Sequence, residues 1–193
     1  MARTASFDRD AVVRAAMDAF WTTGYEGAGI ADLERATGLR RSSIYNSFGS
    51  KRGLFDAAVE QYLDDVIRPR LEPLTAAPVS PDAVIGYLAG LRDAFADPAS
   101  LAARSGCMLI NTAGAPIGED AAVAASVSAY RDELRAALKR GITARLPRLD
   151  PGAADRLADA CTGQVVAALA LARIDRSSAT AAVDTALALI AAA

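Results

Sequence analysis

Residues 33–48 read LERATGLRRSSIYNSF, and the reading of this stretch decides the fold of the N-terminal third. Leu33 and Ile44 are the apolar faces that two short helices, roughly Ile30–Thr37 and Arg41–Phe48, turn toward each other. Gly38 supplies the left-handed backbone of a tight turn between them, and Leu39 plugs the corner. Ile44 and Phe48 lie one helical turn apart and point inward. Arg41, Tyr45 and Asn46 are then left on the exposed side of the second helix. That is the spacing of a helix-turn-helix whose second helix is available to a major groove.

Charge sharpens this reading. From Arg35 to Phe55 there are five cations (Arg35, Arg40, Arg41, Lys51 and Arg52) and no acid, in a chain whose net charge is −2. A protein that coats nucleic acid at random would be basic throughout, so any DNA contact must come from a local patch. Arg40 and Arg41 begin one helix, and Lys51 and Arg52 begin the next. Cations there oppose the helix dipole, at about 0.3–1 kcal/mol each when exposed. A phosphate at those helix starts reverses the sign, because backbone N–H groups and side chains then both favour the anion. Two such starts flanking a recognition helix predict a pair of phosphate clamps.

Outward from this core the apolar spacing stays helical, and no run alternates as a half-buried strand does. Asp8 is an N-cap for a first helix with Asp10 in its first turn; Val13, Ala16, Met17 and Phe20 form its buried stripe, and Gly24 ends it. A fourth helix opens after Ser50 and is expected to stop near Arg68, before Pro69. Arg70–Ser80, with Pro73 and Pro78, reads as a linker, dividing the chain into a DNA-binding unit (1–68) and a ligand-binding and dimerisation unit (69–193). Ser80-Pro81-Asp82 starts a helix that runs to about Ala96. A short helix over Cys107–Thr112, a long one over Asp120–Leu146, another from Asp150-Pro151 to about Arg173, and a last one capped by Ser177 or Ser178 bring the count to about nine. The fold class is all-α, which suits an alanine-rich chain that is 52% hydrophobic.

Several function classes drop out. There is no histidine, which excludes a Ser-His-Asp triad, a His-paired cysteine nucleophile and a His-bound zinc. Neither cysteine has a paired base, so a cysteine-based transferase is disfavoured; no catalytic residue, metal or cofactor is expected. Arg3, Asp8, Arg9 and Asp10 interrupt any N-terminal signal, no stretch is apolar enough for a membrane span, and two distant cysteines suit a reduced, cytoplasmic setting.

Asp8–Phe55 resembles the DNA-binding region of the TetR family of regulators (TetR/AcrR type). The residues that carry the resemblance are Phe20 with Gly24-Tyr25, Thr37-Gly38-Leu39, Ser43-Ile44-Tyr45-Asn46-Ser47-Phe48, and Gly49-Ser50-Lys51 leading into Leu54-Phe55. The resemblance implies a homodimeric, ligand-responsive repressor of double-stranded operator DNA. Tyr45 and Lys51 would meet phosphates, and Arg41, Ser42, Ser43 and Asn46 would lie at bases and backbone. Arg40 and Arg52 complete the expected DNA-binding set. Three departures stand out. Ala28-Gly29 replaces a capping Thr or Ser, Glu34 occupies a usually small position, and Arg40 replaces the serine cap of the recognition helix.

The resemblance fades after about Arg68. Leu157, Cys161, Val165 and Leu169, then Val183, Leu187 and Ile190, are spaced either for an intrachain core or, as the resemblance implies, for an intersubunit four-helix bundle made by the eighth and ninth helices. Such a dimer would hold its recognition helices about 34–36 Å apart, matching a palindromic site. Candidate contacts for an unidentified small-molecule effector are Tyr87, Phe95, Met108, Asn111, Tyr130 and Gln164, together with Cys107. Cys107 follows Gly106 near Arg104 and is weighed as an oxidant or electrophile sensor against a role in packing. Two alternatives differ in class: an enzyme using the C-terminal cavity, and a partner-binding protein that has lost DNA recognition.

Overall fold

The computed structural model describes residues 7–193; Arg3 lies outside that range. The N-terminal unit holds α1 (Arg9–Gly27), α2 (Ile30–Thr37), α3 (Arg41–Phe48) and α4 (Lys51–Tyr62). Asp8 caps α1 as expected, its carboxylate accepting from the N–H groups of Asp10 and Ala11 at 3.0 and 3.2 Å. The regular helix breaks at Gly24, which takes φ 76°, ψ 169°. Gly38 sits at φ 69° between α2 and α3, the left-handed turn that the motif demands. Leu33, Ile44 and Leu54 are fully buried beneath it. An aromatic cluster locks α1 onto α4: Phe20 and Phe55 meet edge-on at 5.2 Å, and Tyr25 meets Phe55 at 5.1 Å.

The fourth helix does not stop at Arg68. It passes through a π turn (Leu63–Ile67) into α5 (Arg68–Thr75). In that turn the Arg68 N–H reaches back five residues to the Leu63 carbonyl, widening the helix just ahead of Pro69. Proline is tolerated there because the widened turn relieves the crowding that its ring would cause in a regular helix. The expected linker therefore shrinks to residues 76–80.

The rest comprises α6 (Ala83–Ala96), α7 (Leu101–Ser105), α8 (Met108–Ala113), a short 3-10 turn (Pro116–Glu119), α9 (Ala121–Arg145), α10 (Pro151–Leu171) and α11 (Arg176–Ala191). Asp120 and Asp150 cap α9 and α10 through their carboxylates. The last helix is capped by Asp175 rather than by Ser177 or Ser178. Its carboxylate accepts from the Ser178 N–H and hydroxyl, a stronger acceptor placed one turn earlier. Among the described residues no helix is long and apolar enough to cross a membrane, and no group of three metal-ligating side chains converges.

A single apolar core runs from Ala16 in α1 to Ile190 in α11. One close crossing is at Gly106, between α7 and α8, with φ 64°. A Cβ there would stand 2.5 Å from the Leu169 carbonyl oxygen of α10, a backbone atom that cannot move aside. Gly106→Ala is accordingly expected to destabilise the fold by about 2 kcal/mol or more, read as a lower urea midpoint with native-like helix content.

Candidate nucleic-acid interface and effector cavity

The recognition helix α3 begins at Arg40, whose side chain makes no cap. Glu34 supplies what is missing. Its carboxylate accepts from the Arg41 N–H at 2.6 Å across the turn. The acid that departs from the family pattern thus compensates the other departure, the arginine in place of a capping serine. It also places negative charge where one of the two phosphate clamps was expected, so the start of α3 already holds an anion. At the start of α4 the Ser50 hydroxyl accepts from the Gly53 N–H at 3.0 Å. At α2, Gly29 caps without a side chain, and Asp32 reaches back to accept from the Gly29 N–H at 3.0 Å.

The exposed side of α3 carries Arg41, Ser42 and Asn46, with Ser43 and Tyr45 half-buried. The Arg41 guanidinium lies 5.4 Å from the Tyr45 ring centre, and the Lys51 ammonium 4.4 Å from that of Tyr25. These contacts hold long side chains in place while their charge stays toward solvent. Arg9 joins them, its guanidinium 5.1 Å from the Phe48 ring centre. Sequence reading missed Arg9, although the signal was present: it is a cation at the first position of a helix, the same breach of dipole preference that marked Arg41 and Lys51. Among the described residues no carboxylate pairs with Arg9, Arg40, Arg41 or Lys51.

Arg52 is placed differently. Its guanidinium is held by Asp56, one turn along α4 at 2.7 Å, and by Asp120 at the cap of α9 at 2.9 Å. The pairing holds the Asp120 carboxyl down at about 2, chiefly through the hydrogen bond from Arg52. Arg52 thus bridges α4 and α9 through these two acids. Arg35, similarly, pairs with Asp32 at 3.1 Å.

The second candidate site lies behind the aromatic cluster. Tyr62 of α4, Tyr87 of α6 and Tyr130 of α9 converge with Arg70 of α5 around a small internal space of about 20 Å³, walled also by Gly106. The Cys107 thiol adjoins the Tyr62 and Tyr130 hydroxyls. Burial, chiefly, pushes all three tyrosines above their ordinary value, so their hydroxyls stay protonated donors; Arg70 partly offsets this at Tyr62 and Tyr87. Outside this space, between α5 and α6, lies an open apolar groove of about 480 Å³ that shares Arg70, Tyr87 and Leu91 with it.

Of the expected effector contacts, Tyr87, Tyr130 and Cys107 come together here. Phe95 and Met108 are buried but line neither space. The Asn111 amide instead donates to the Ser105 carbonyl at 2.7 Å, closing the turn between α7 and α8. Gln164 lies on α10 away from both spaces. Tyr62 and Arg70 were not anticipated, because the sequence assigned them to a helix of the DNA-binding unit and to a linker. Arg104 is exposed, whereas Cys107 is fully buried.

Residues 12–58 match the family described as bacterial regulatory proteins, tetR family. YezE of Bacillus subtilis (strain 168), an uncharacterized HTH-type transcriptional regulator, is 31% identical over 142 residues, covering 74% of this chain and 72% of YezE. The chain belongs to the TetR family. The HTH-type transcriptional repressor ComR of Escherichia coli (strain K12) is 35% identical over 106 residues, 54% of this chain; that match spans only 49% of ComR. Among solved structures, a cysteine mutant of the TetR-family regulator CifR bound to a 26 bp operator duplex is 31% identical, with a TM-score of 0.78 and coverage of 96% of this chain and 98% of CifR. E. coli NemR in its reduced form shares the fold at 17% identity, with a TM-score of 0.76 and 94% coverage of each chain.

Removing the carboxylate from the start of α3 separates stability from charge. Glu34→Ala is expected to lower stability by about 1 kcal/mol, the typical value of a lost N-cap. The same change is expected to raise affinity for duplex DNA several-fold at low salt. Paired urea titrations and fluorescence-anisotropy titrations on labelled duplex read the two effects, and unchanged DNA affinity would show that no phosphate approaches this helix start.

Proposed function

We propose that this TetR-family regulator is a repressor that binds a palindromic operator as a homodimer and is released by a small molecule. The observation that carries the reading is the set of unpaired cations around α3: among the described residues Arg9, Arg40, Arg41 and Lys51 stand without carboxylate partners, in a protein of net negative charge. Positive charge left unneutralised on one face, with neighbouring cations such as Arg35 and Arg52 paired, suits docking against a polyanion. Arg41, Ser42, Ser43 and Asn46 are assigned to bases and adjacent backbone, and Arg40, Tyr45 and Lys51 to phosphates. The operator complex of CifR supports DNA as the partner. Helices α10 and α11 are assigned to the dimer, with residues 1–68 acting as the DNA-binding unit and 69–193 as the regulatory unit, in a cytoplasmic setting.

Release requires a ligand that favours the state with misplaced recognition helices by several kcal/mol. A second reading, in which an electrophile acting on Cys107 takes the place of a reversible ligand, is favoured by one observation: the thiol adjoins the tyrosine-lined space. Its full burial makes any such reaction depend on opening of the cavity. If N-ethylmaleimide releases the wild type and Cys107→Ser equally from operator in a gel-shift assay, this second reading fails.

For the main reading, Lys51→Ala is expected to weaken operator binding about tenfold and to lower the slope of log affinity against log salt by about one. Tyr45→Phe should weaken it less, and neither change should move the urea midpoint. Full affinity in the doubly substituted protein would overturn the assignment.

A further inference from the structure

Helix α6 breaks a local rule where it faces solvent. Gly86 and Gly90 sit in its interior, each about 0.5–1 kcal/mol less favourable than alanine. Neither is required by packing, since a Cβ at either position would meet nothing within 4 Å. A helix that keeps glycine without a steric reason points to a functional one. With Ala83 and Ala94 they form the floor of the groove of about 480 Å³ against Pro69 and Pro73 of α5. That volume is within the range of small-molecule sites, about 300–1,000 Å³. The glycines keep it open.

The polar side chains at this groove, Arg70 and Tyr87, can both donate. Arg70 lies at its edge and among the described residues has no carboxylate partner. Tyr87 lines both the groove and the inner space, where the hydroxyl-bearing rings of Tyr62 and Tyr130 follow. No acid lines either space. A guanidinium without a counter-ion, backed by a phenol and set beside an apolar floor, selects an acceptor of negative charge on an apolar body.

We propose that the groove between α5 and α6 is the effector site and that it takes a small organic monoanion, a carboxylate held at Arg70 and Tyr87 with its apolar body along Gly86 and Gly90. This rests on the reading that the C-terminal unit receives an effector, and it adds the chemical class. The inner wall has a direct line to the DNA-binding unit. The Trp21 indole of α1 packs edge-on against the Tyr62 ring at 4.8 Å and donates to the Gly106 carbonyl at 3.0 Å. Displacement of Tyr62 or Gly106 by a ligand is thus felt first by α1.

The test uses the full chain without DNA and three probes that share one apolar body: decanoate, methyl decanoate and decylamine. Calorimetry reads binding, and emission of Trp21, the sole tryptophan, reads the coupling. Decanoate is expected to bind at least about tenfold more tightly than the ester or the amine, the scale of a charge-assisted hydrogen bond. Arg70→Gln should reduce decanoate to the level of the ester. Gly90→Leu, which replaces a poor helix former and fills open space, should abolish binding of all three without lowering the urea midpoint. Equal affinity for ester and carboxylate, indifference to Arg70→Gln, or binding that survives Gly90→Leu would each overturn the proposal. Because no DNA is present, such a result leaves operator binding untouched. Conversely, decanoate that binds as described yet leaves the operator complex intact would count against ligand release and not against the site.

Discussion

The indole of Trp21 holds the two parts of this molecule in register. It belongs to α1, the helix on which the DNA-binding unit is built, yet its N–H is satisfied by the Gly106 carbonyl far along the chain. Its ring lies against Tyr62, which lines the internal space. A buried indole N–H without an acceptor would cost about 1–3 kcal/mol, so moving α1 away from the Gly106 segment carries that penalty. The left-handed backbone at Gly106 serves this contact by letting the chain pass close to α10 while turning its carbonyl toward α1. Arg52 and Asp120 tie α4 to α9 at the surface, and Glu26 accepts from the Ile117 N–H at 2.8 Å near the 3-10 turn. Three joints of different chemistry therefore link α1 and α4 to the C-terminal part of the chain.

Electrostatics in this protein works by selective neutralisation. The cations between Arg35 and Arg52 look alike in the sequence but have different neighbours in space. Asp32 answers Arg35, and Asp56 with Asp120 answers Arg52, whereas Arg40, Arg41 and Lys51 are left open. Glu34 is the counterpart on the anionic side: it neutralises a helix start and no side-chain charge. The open positive face around α3 is thus defined as much by which cations the acids leave alone as by where the cations lie.

The helix-turn-helix was legible because its requirements are local. Leu33, Gly38, Leu39 and Ile44 lie close in sequence, and the turn they make depends on backbone conformation and on one small apolar contact. Caps were legible for the same reason at Asp8 and Asp150. The end of the fourth helix was not, because Pro69 ordinarily stops a helix and only the π turn before it removes the clash. The tyrosine-lined space was half legible. Tyr87 and Tyr130 stood out as polar groups on apolar helices, but Tyr62 and Arg70 could be recognised only once α4 was seen to extend into α5 and carry them beside α6.

The sequence by itself determined the helical class, the recognition motif, its basic strip and the family resemblance, since each depends on spacing of a few residues or on composition within one segment. Tertiary structure alone decided which cations remain free, that Glu34 caps the recognition helix, and that Cys107 is enclosed by tyrosines from different helices. The physical reason is distance. Ion pairing, remote capping and cavity lining are set by side chains that meet through space, and no local pattern states which of many possible partners the packing of the core will bring within reach.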